Sequence, residues 1–150
     1  MPSLHFQMCY TFFRMHELGK NKLKHEILAF KIIFLNGQAI ACNEGVELNR
    51  ALVGTGFAYD VDARPAQLAQ LSELLNRIRD IRRNGAAAVD LCFVAMGALD
   101  GYFEKGLQEW DLAAGGLIAT EAGAKVTTLA GTTIAAAPAL HATLSFRLSQ

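Results

Sequence analysis

Apolar and polar positions fall into blocks along this chain, and each block reads as one element. Phe34-Leu35 and Ala39-Ile40-Ala41 flank the turn dipeptide Asn36-Gly37, which predicts a hairpin. Ala51-Leu52-Val53-Gly54-Thr55-Gly56-Phe57 reads as a short buried strand bounded by glycines. Pro65 suits the first turn of a helix, where its missing N–H is not needed. Leu68, Leu71, Leu75 and Ile78 then recur at helical spacing, with Gln67, Gln70, Glu73 and Arg77 opposite, predicting an amphipathic helix that ends near Arg79. Ala86 to Met96 is apolar almost all round, the pattern of a helix sandwiched inside a fold, with Gly97 as its stop. Leu99 to Glu104 reads as a strand. Asp111 to Ala122 reads as a helix stopped by Gly123, Lys125 to Leu129 and Thr133 to Ala137 as strands, and Pro138 to Leu148 as a terminal helix. Strands alternating with helices predict an α/β sheet. Before residue 34 the text is different: Thr11 to Lys31 mixes aromatics, Met, His and Lys with no clean period of 2 or 3.6.

Composition narrows the function classes. The 150 residues are 52% hydrophobic and 19% charged, which excludes an intrinsically disordered chain. Fourteen basic residues balance fourteen acidic ones, so no electrostatic excess drives nonspecific nucleic-acid binding, and no nucleic-acid partner is expected. The longest apolar stretch, Ile27 to Leu35, is interrupted by Lys31 and falls short of the roughly 20 residues that span a bilayer, so no membrane partner is expected either. The first seven residues lack the basic start and apolar core of a signal peptide. Cys9, Cys42 and Cys92 form no Cys-x-x-Cys pair, and reduced thiols fit a cytoplasmic protein. His5, His16, His25 and His141 have no metal-ligand spacing.

The chemistry concentrates between Gly85 and Gly123. Ala113, Ala114, Gly115 and Gly116 are costly in one helix unless that helix packs closely on a neighbour. Asp111 is placed to cap the helix as its N-cap, and Trp110 to anchor the turn beside it. Glu104 ends the preceding strand. Two carboxylates at a strand end and a helix start can line one cleft. Taken singly, Asp111 is explained as a cap, Glu104 as a solvated strand end and Asp100-Gly101 as a turn.

Together these residues resemble a known family. Ile81 to Cys92, Val94-Ala95-Met96-Gly97, Asp100-Gly101-Tyr102-Phe103-Glu104 and Trp110-Asp111-Leu112-Ala113-Ala114-Gly115 look like the C-terminal signature of the inositol monophosphatase family. Leu117-Ile118 and Glu121-Ala122-Gly123 continue it. Phe34 to Gly37 and Ala51 to Asp60 fit the segment before it, and Ala136 to His141 the usual terminal stretch. The resemblance implies the C-terminal part of the layered αβαβα sugar-phosphatase fold, a mixed sheet flanked by helices, over residues 34–150, with 1–33 an unassigned segment. It implies a magnesium-dependent phosphoric monoester hydrolase acting on inositol 1-phosphate, with Mg2+ as cofactor and a possible homodimer. Asp111 falls on the metal-binding aspartate that also touches the substrate hydroxyl, Glu104 on the substrate-binding glutamate, and Gly85, Ala86 and Ala87 on the backbone segment against the inositol ring. Ala86 stands where the family often has Ser or Thr.

The resemblance also implies further metal ligands, an upstream glutamate and an Asp-Pro-x-Asp-Gly-Thr loop, and neither is in this sequence. Asp60-Val61-Asp62 lacks the Pro and the Gly-Thr, and Glu17 and Glu26 lie in unrelated text. A single carboxylate does not position Mg2+. The expectation is therefore a truncated phosphatase, inactive alone. Two alternatives are a non-catalytic fragment or subunit that associates with a full-length homologue, and a sibling sugar- or nucleotide-phosphate phosphatase. A missing half would leave an apolar sheet face open, and residues 27–35 are expected to pair over part of it as a strand.

Overall fold

Asn36 and Gly37 take positive φ, 52° and 79°, as a tight hairpin turn requires. The turn pairs β1 (Ile33–Leu35) antiparallel with β2 (Gln38–Ile40), and these are the first elements of the computed structural model, which describes residues 33–149. β3 (Leu52–Thr55), α1 (Arg64–Leu75), β4 (Asp80–Arg82), α2 (Ala87–Ala95) and β5 (Gly101–Lys105) follow. The remaining elements are α3 (Glu109–Glu121), β6 (Lys125–Leu129), β7 (Thr132–Ala136) and α4 (Pro138–Leu148).

Five strands form one mixed sheet in the order β4-β3-β5-β7-β6. β3 runs parallel to both β4 and β5, whereas β7 is antiparallel to β5 and β6. Strand alternation sends its residues to two cores. Tyr102 and Ala135 face Leu91, Val94, Ile118 and Ala119 of α2 and α3. Val53, Phe103, Ile134 and Ala136 face Leu71, Leu74, Leu140 and Leu144 of α1 and α4. The layered mixed sheet flanked by helices, expected from the resemblance, is the architecture observed.

The small residues of α3 explain its contact with α2. A Cβ on Gly115 would come 2.7 Å from the Ala88 carbonyl oxygen and 2.9 Å from Leu91 Cβ, so only glycine permits the approach. Both helices end as the glycines predict. Gly97 and Ala98 donate to the Val94 and Phe93 carbonyls, and Gly123 and Ala124 to those of Thr120 and Ala119, each at 2.9–3.1 Å. Within α2, Val89 stays exposed, so that helix is less enclosed than its composition suggests.

Four expectations need correction here. The amphipathic helix ends at Leu75 rather than near Arg79, and Asp80–Arg82 forms a strand parallel to β3 that the pattern concealed. Ile78 lies past the helix end yet is buried, so the period runs on beyond the helix. The inward face is Gln67, Leu71 and Leu74; Leu68 and Leu75 point outward, Leu68 with 60% of its surface exposed. Gln67 turns inward because its Oε1 accepts the Ala58 N–H at 3.0 Å, tying the β3–α1 loop to the helix. Of the stretch 27–35, residues 27–32 lie outside the described residues. Ile33–Leu35 pairs with β2 in a separate two-stranded sheet, and Ile33 and Ile40 pack against the core shared by α2, α3 and the main sheet.

Asp100, buried, accepts the Leu52 N–H at 2.7 Å and the Asn43 amide at 2.8 Å, a structural role consistent with the turn reading. β4 is an edge strand whose Asp80 and Arg82 form an exposed 2.7 Å ion pair.

Candidate substrate site at the strand ends

The candidate residues gather where the parallel strands β3, β4 and β5 end, the usual ligand position in α/β sheets. Gly54 sits in register opposite Tyr102. Tyr102 has no exposed surface, and a Cβ on Gly54 would come 3.1 Å from its Cδ2 and 2.8 Å from Leu99 Cδ1. A Cβ on Gly56, two residues further along, would overlap the Glu104 carboxyl group. Tyr102 donates its hydroxyl hydrogen to Glu104 Oε2. Glu104 is half-buried, so it is a held carboxylate and not a freely solvated strand end.

The second wall is the start of α2. β4 ends at Arg82, and Gly85, at φ 85°, turns the chain into Ala86, the extended N-cap, and Ala87, the first helical residue. Gly85 and Ala86 are exposed and Ala87 is half-buried. The first N–H groups of a helix have no internal partner and suit anionic or hydroxyl acceptors. Asn84, just before the turn, donates its amide to Asp90 Oδ1 at 2.5 Å. Asp90 lies in the first turn of α2 with 1% of its surface exposed. Burial pushes its carboxyl up from the ordinary aspartate value, opposed by the Asn84 bond and the Arg83 charge.

The third wall is the start of α3. That helix begins at Glu109 with Gln108 as N-cap, so Asp111 is the third helical residue and not the N-cap expected from the sequence. Its Oδ2 accepts the Gln108 backbone N–H at 3.0 Å. Trp110 is 77% exposed and anchors nothing within the described residues, another correction; at the second helical position its side chain leaves the fold. Gly115, one turn beyond Asp111, touches Ala88 next to Ala87, which brings the two helix starts together. The Tyr102 phenol registers the result. Burial first, then the Glu104 bond and the charges of Glu104, Asp90 and Asp111, push its ionisation far above the ordinary tyrosine range. It stays an O–H donor at every physiological pH.

These residues do not fit a complete Mg2+ site. Near-octahedral Mg2+ takes several fixed oxygen ligands. One oxygen of Asp111 is spent on Gln108, one of Glu104 on Tyr102 and one of Asp90 on Asn84. No group of three or more His, Cys, Asp or Glu able to hold a metal ion occurs among the described residues.

Beside the site opens an apolar groove of about 580 Å³ lined by Phe57, Val61, Pro65 and Leu68, with Arg64 and Arg83 also on its wall. Phe57 and Arg83 adjoin the Gly56 and Gly85 regions of the site. No helix among the described residues is long and apolar enough to cross a membrane.

The sequence model of the Inositol monophosphatase family matches residues 29–147. The chain belongs to that family. Among its relatives is an inositol-1-monophosphatase of Mycobacterium leprae, 55% identical over 89 residues, which are 59% of this chain and 31% of the relative. A Neisseria meningitidis protein named putative Nus factor SuhB is 47% identical over 98 residues, 65% of this chain and 38% of the relative. The solved structure of Mycobacterium tuberculosis SuhB superposes with a TM-score of 0.70 at 48% identity, covering 75% of this chain and 46% of that one. The chain thus spans about a third of the length of the curated relatives it matches. Of the residues expected at the site, Glu104 lies near the end of β5, Gly85, Ala86 and Ala87 lead into the start of α2, and Asp111 sits in the first turn of α3. Tyr102, Asp90, Asn84 and the Gly54–Gly56 pair were not singled out from sequence, although the spacing Gly-x-Gly on a strand is itself a signal of close approach.

Proposed function

We propose that the strand-end site binds an inositol phosphate or a related small polyol phosphate ester, as the C-terminal portion of a Mg2+-dependent phosphomonoesterase. The observation that carries this reading is the convergence of Glu104, Asp111 and the α2 start around the buried Tyr102 hydroxyl. A carboxylate only accepts hydrogen bonds, so the Glu104 side chain selects a ligand that donates hydroxyl hydrogens. Gly85, Ala86 and Ala87 offer backbone contacts, and Ala86 adds no side-chain hydroxyl. Asp111 contributes one carboxylate towards a metal that needs more ligands than the described residues supply. Mg2+, where fully ligated, activates water and polarises a phosphate ester; the contribution of this chain on its own is capture of the ligand.

Titrating the isotope-labelled chain with inositol 1-phosphate tests the reading. Amide shifts at Gly85, Ala86, Ala87, Glu104 and Asp111 are expected, and shifts confined to other regions would overturn it. Phosphate release with and without Mg2+ is expected to stay at background. Rapid turnover abolished by Asp111→Asn would show instead that the metal set is completed. Competition by other sugar and nucleotide phosphates distinguishes the sibling activities.

The exposed apolar groove favours a second reading, a non-catalytic subunit that associates with a full-length homologue. The Nus-factor name of the Neisseria relative widens that reading to partners outside the family. Native mass measurement with and without an intact homologue decides it, a stable indifferent monomer counting against.

A further inference from the structure

The geometry points to Tyr102 as the positioning residue of Glu104, holding that carboxylate on a shelf made by Gly54 and Gly56 so that one oxygen is always spent and the other is offered to a ligand. Three observations build it. Tyr102 and Glu104 are two residues apart on β5 and so project from the same face of the sheet. Gly54 of the neighbouring strand β3 and Gly56 just beyond its end leave that face free of side chains: a Cβ on Gly54 would crowd the Tyr102 ring, and one on Gly56 would occupy the place of the Glu104 carboxyl. The Tyr102 hydroxyl, wholly buried, ends on Glu104 Oε2.

The arrangement is directional. A buried phenol that keeps its proton can donate it and a carboxylate only accepts, so the bond runs from Tyr102 to Glu104. The bond also removes rotamer freedom from a long side chain before the ligand arrives, a saving in ordering entropy that appears as affinity. The shelf cannot be rebuilt with alanine, because any Cβ at Gly56 evicts the carboxylate. The sequence Gly54-Thr55-Gly56 is therefore part of the device that seats Glu104.

The binding readout rests on the ligand reading above, and the experiment separates the two. In the full chain, Tyr102→Phe is expected to raise the dissociation constant for inositol 1-phosphate about tenfold, the scale of one hydrogen bond to a charged group. In a Glu104→Ala background the same substitution is expected to change it less than about twofold, because the positioned group is gone. Gly56→Ala should weaken binding as Tyr102→Phe does and lose its effect in the same background. Equal losses in both backgrounds, or none in either, would overturn the proposal, since a purely structural tyrosine acts without regard to Glu104. If the unmodified chain shows no affinity for inositol 1-phosphate, the ligand reading fails, and the carboxyl carbon resonance of Glu104 decides the positioning role. Its displacement by Tyr102→Phe supports the role; an unmoved resonance overturns it.

Discussion

The two faces of the sheet are covered by helix pairs of opposite character. On one, α2 and α3 meet through Gly115 so closely that their starts share a polar cluster with Tyr102, Glu104 and Asp90. On the other, α1 and α4 bury ordinary leucines, Leu71, Leu74, Leu140 and Leu144, while Leu68 and Leu75 remain outside. The first face is closed by shape and the second by bulk, and only the first brings charged groups into register. Precise approach and polar chemistry go together because buried carboxylates need fixed partners.

The comparison is sharpened most by Leu144→Ala. Leu144 is fully buried on the α4 side, and its truncation is expected to cost about 3–4 kcal/mol in urea unfolding. Gly115→Val is expected to cost about 2–3 kcal/mol by prying α3 from the Ala88 carbonyl, and to abolish ligand shifts at Ala87 and Asp111. A Gly115→Val chain with unchanged stability would break the distinction between the faces.

A smaller effect is a pH response of opposite sign on the two faces. His141 of α4, bonded to Thr127 at 2.9 Å, is kept below its ordinary value of 6.5 by burial and by the Lys125 charge. Its contribution is present above that value and is lost as the pH falls through it towards the folded value, because the buried imidazole must then take a proton. Asp90 of α2 is raised above its ordinary 3.8, so its contribution is full below 3.8 and is lost as the pH rises through the folded value. Unfolding midpoints across pH should therefore lose the acid-side fall in His141→Gln and the loss on rising pH in Asp90→Asn. Identical profiles for the two variants would defeat the assignment. The smallest effect is Leu68→Ala, within about 0.5 kcal/mol because that side chain is already outside; a cost matching Leu144→Ala would mean the groove is filled.

Elements built on local punctuation were legible in the sequence. Asn36-Gly37, Pro65, Gly97, Gly123 and Pro138 mark turns and helix ends that the structure reproduces. Elements set by tertiary context were not. Asp80–Arg82 is a strand only because β3 offers it an edge, and nothing in a charged tripeptide announces that. The phase of α1 was misread because Leu68 looks like a core residue and Gln67 does not, until the Ala58 N–H supplies the glutamine with a partner. At the site, Glu104 and Asp111 are singled out by the resemblance, and the structure places them near the end of β5 and in the first turn of α3. Tyr102 and Asp90 lie in the same resembling stretches without a role assigned to them, and what they do depends on what faces them.

The edge strand β4 has a consequence for how this molecule behaves in company. A foreign backbone adding there would gain only three residues of ladder while stripping water from the Asp80–Arg82 ion pair. That flank of the sheet is a poor template for fibre growth, and crowded chains have little to recruit beside the candidate site.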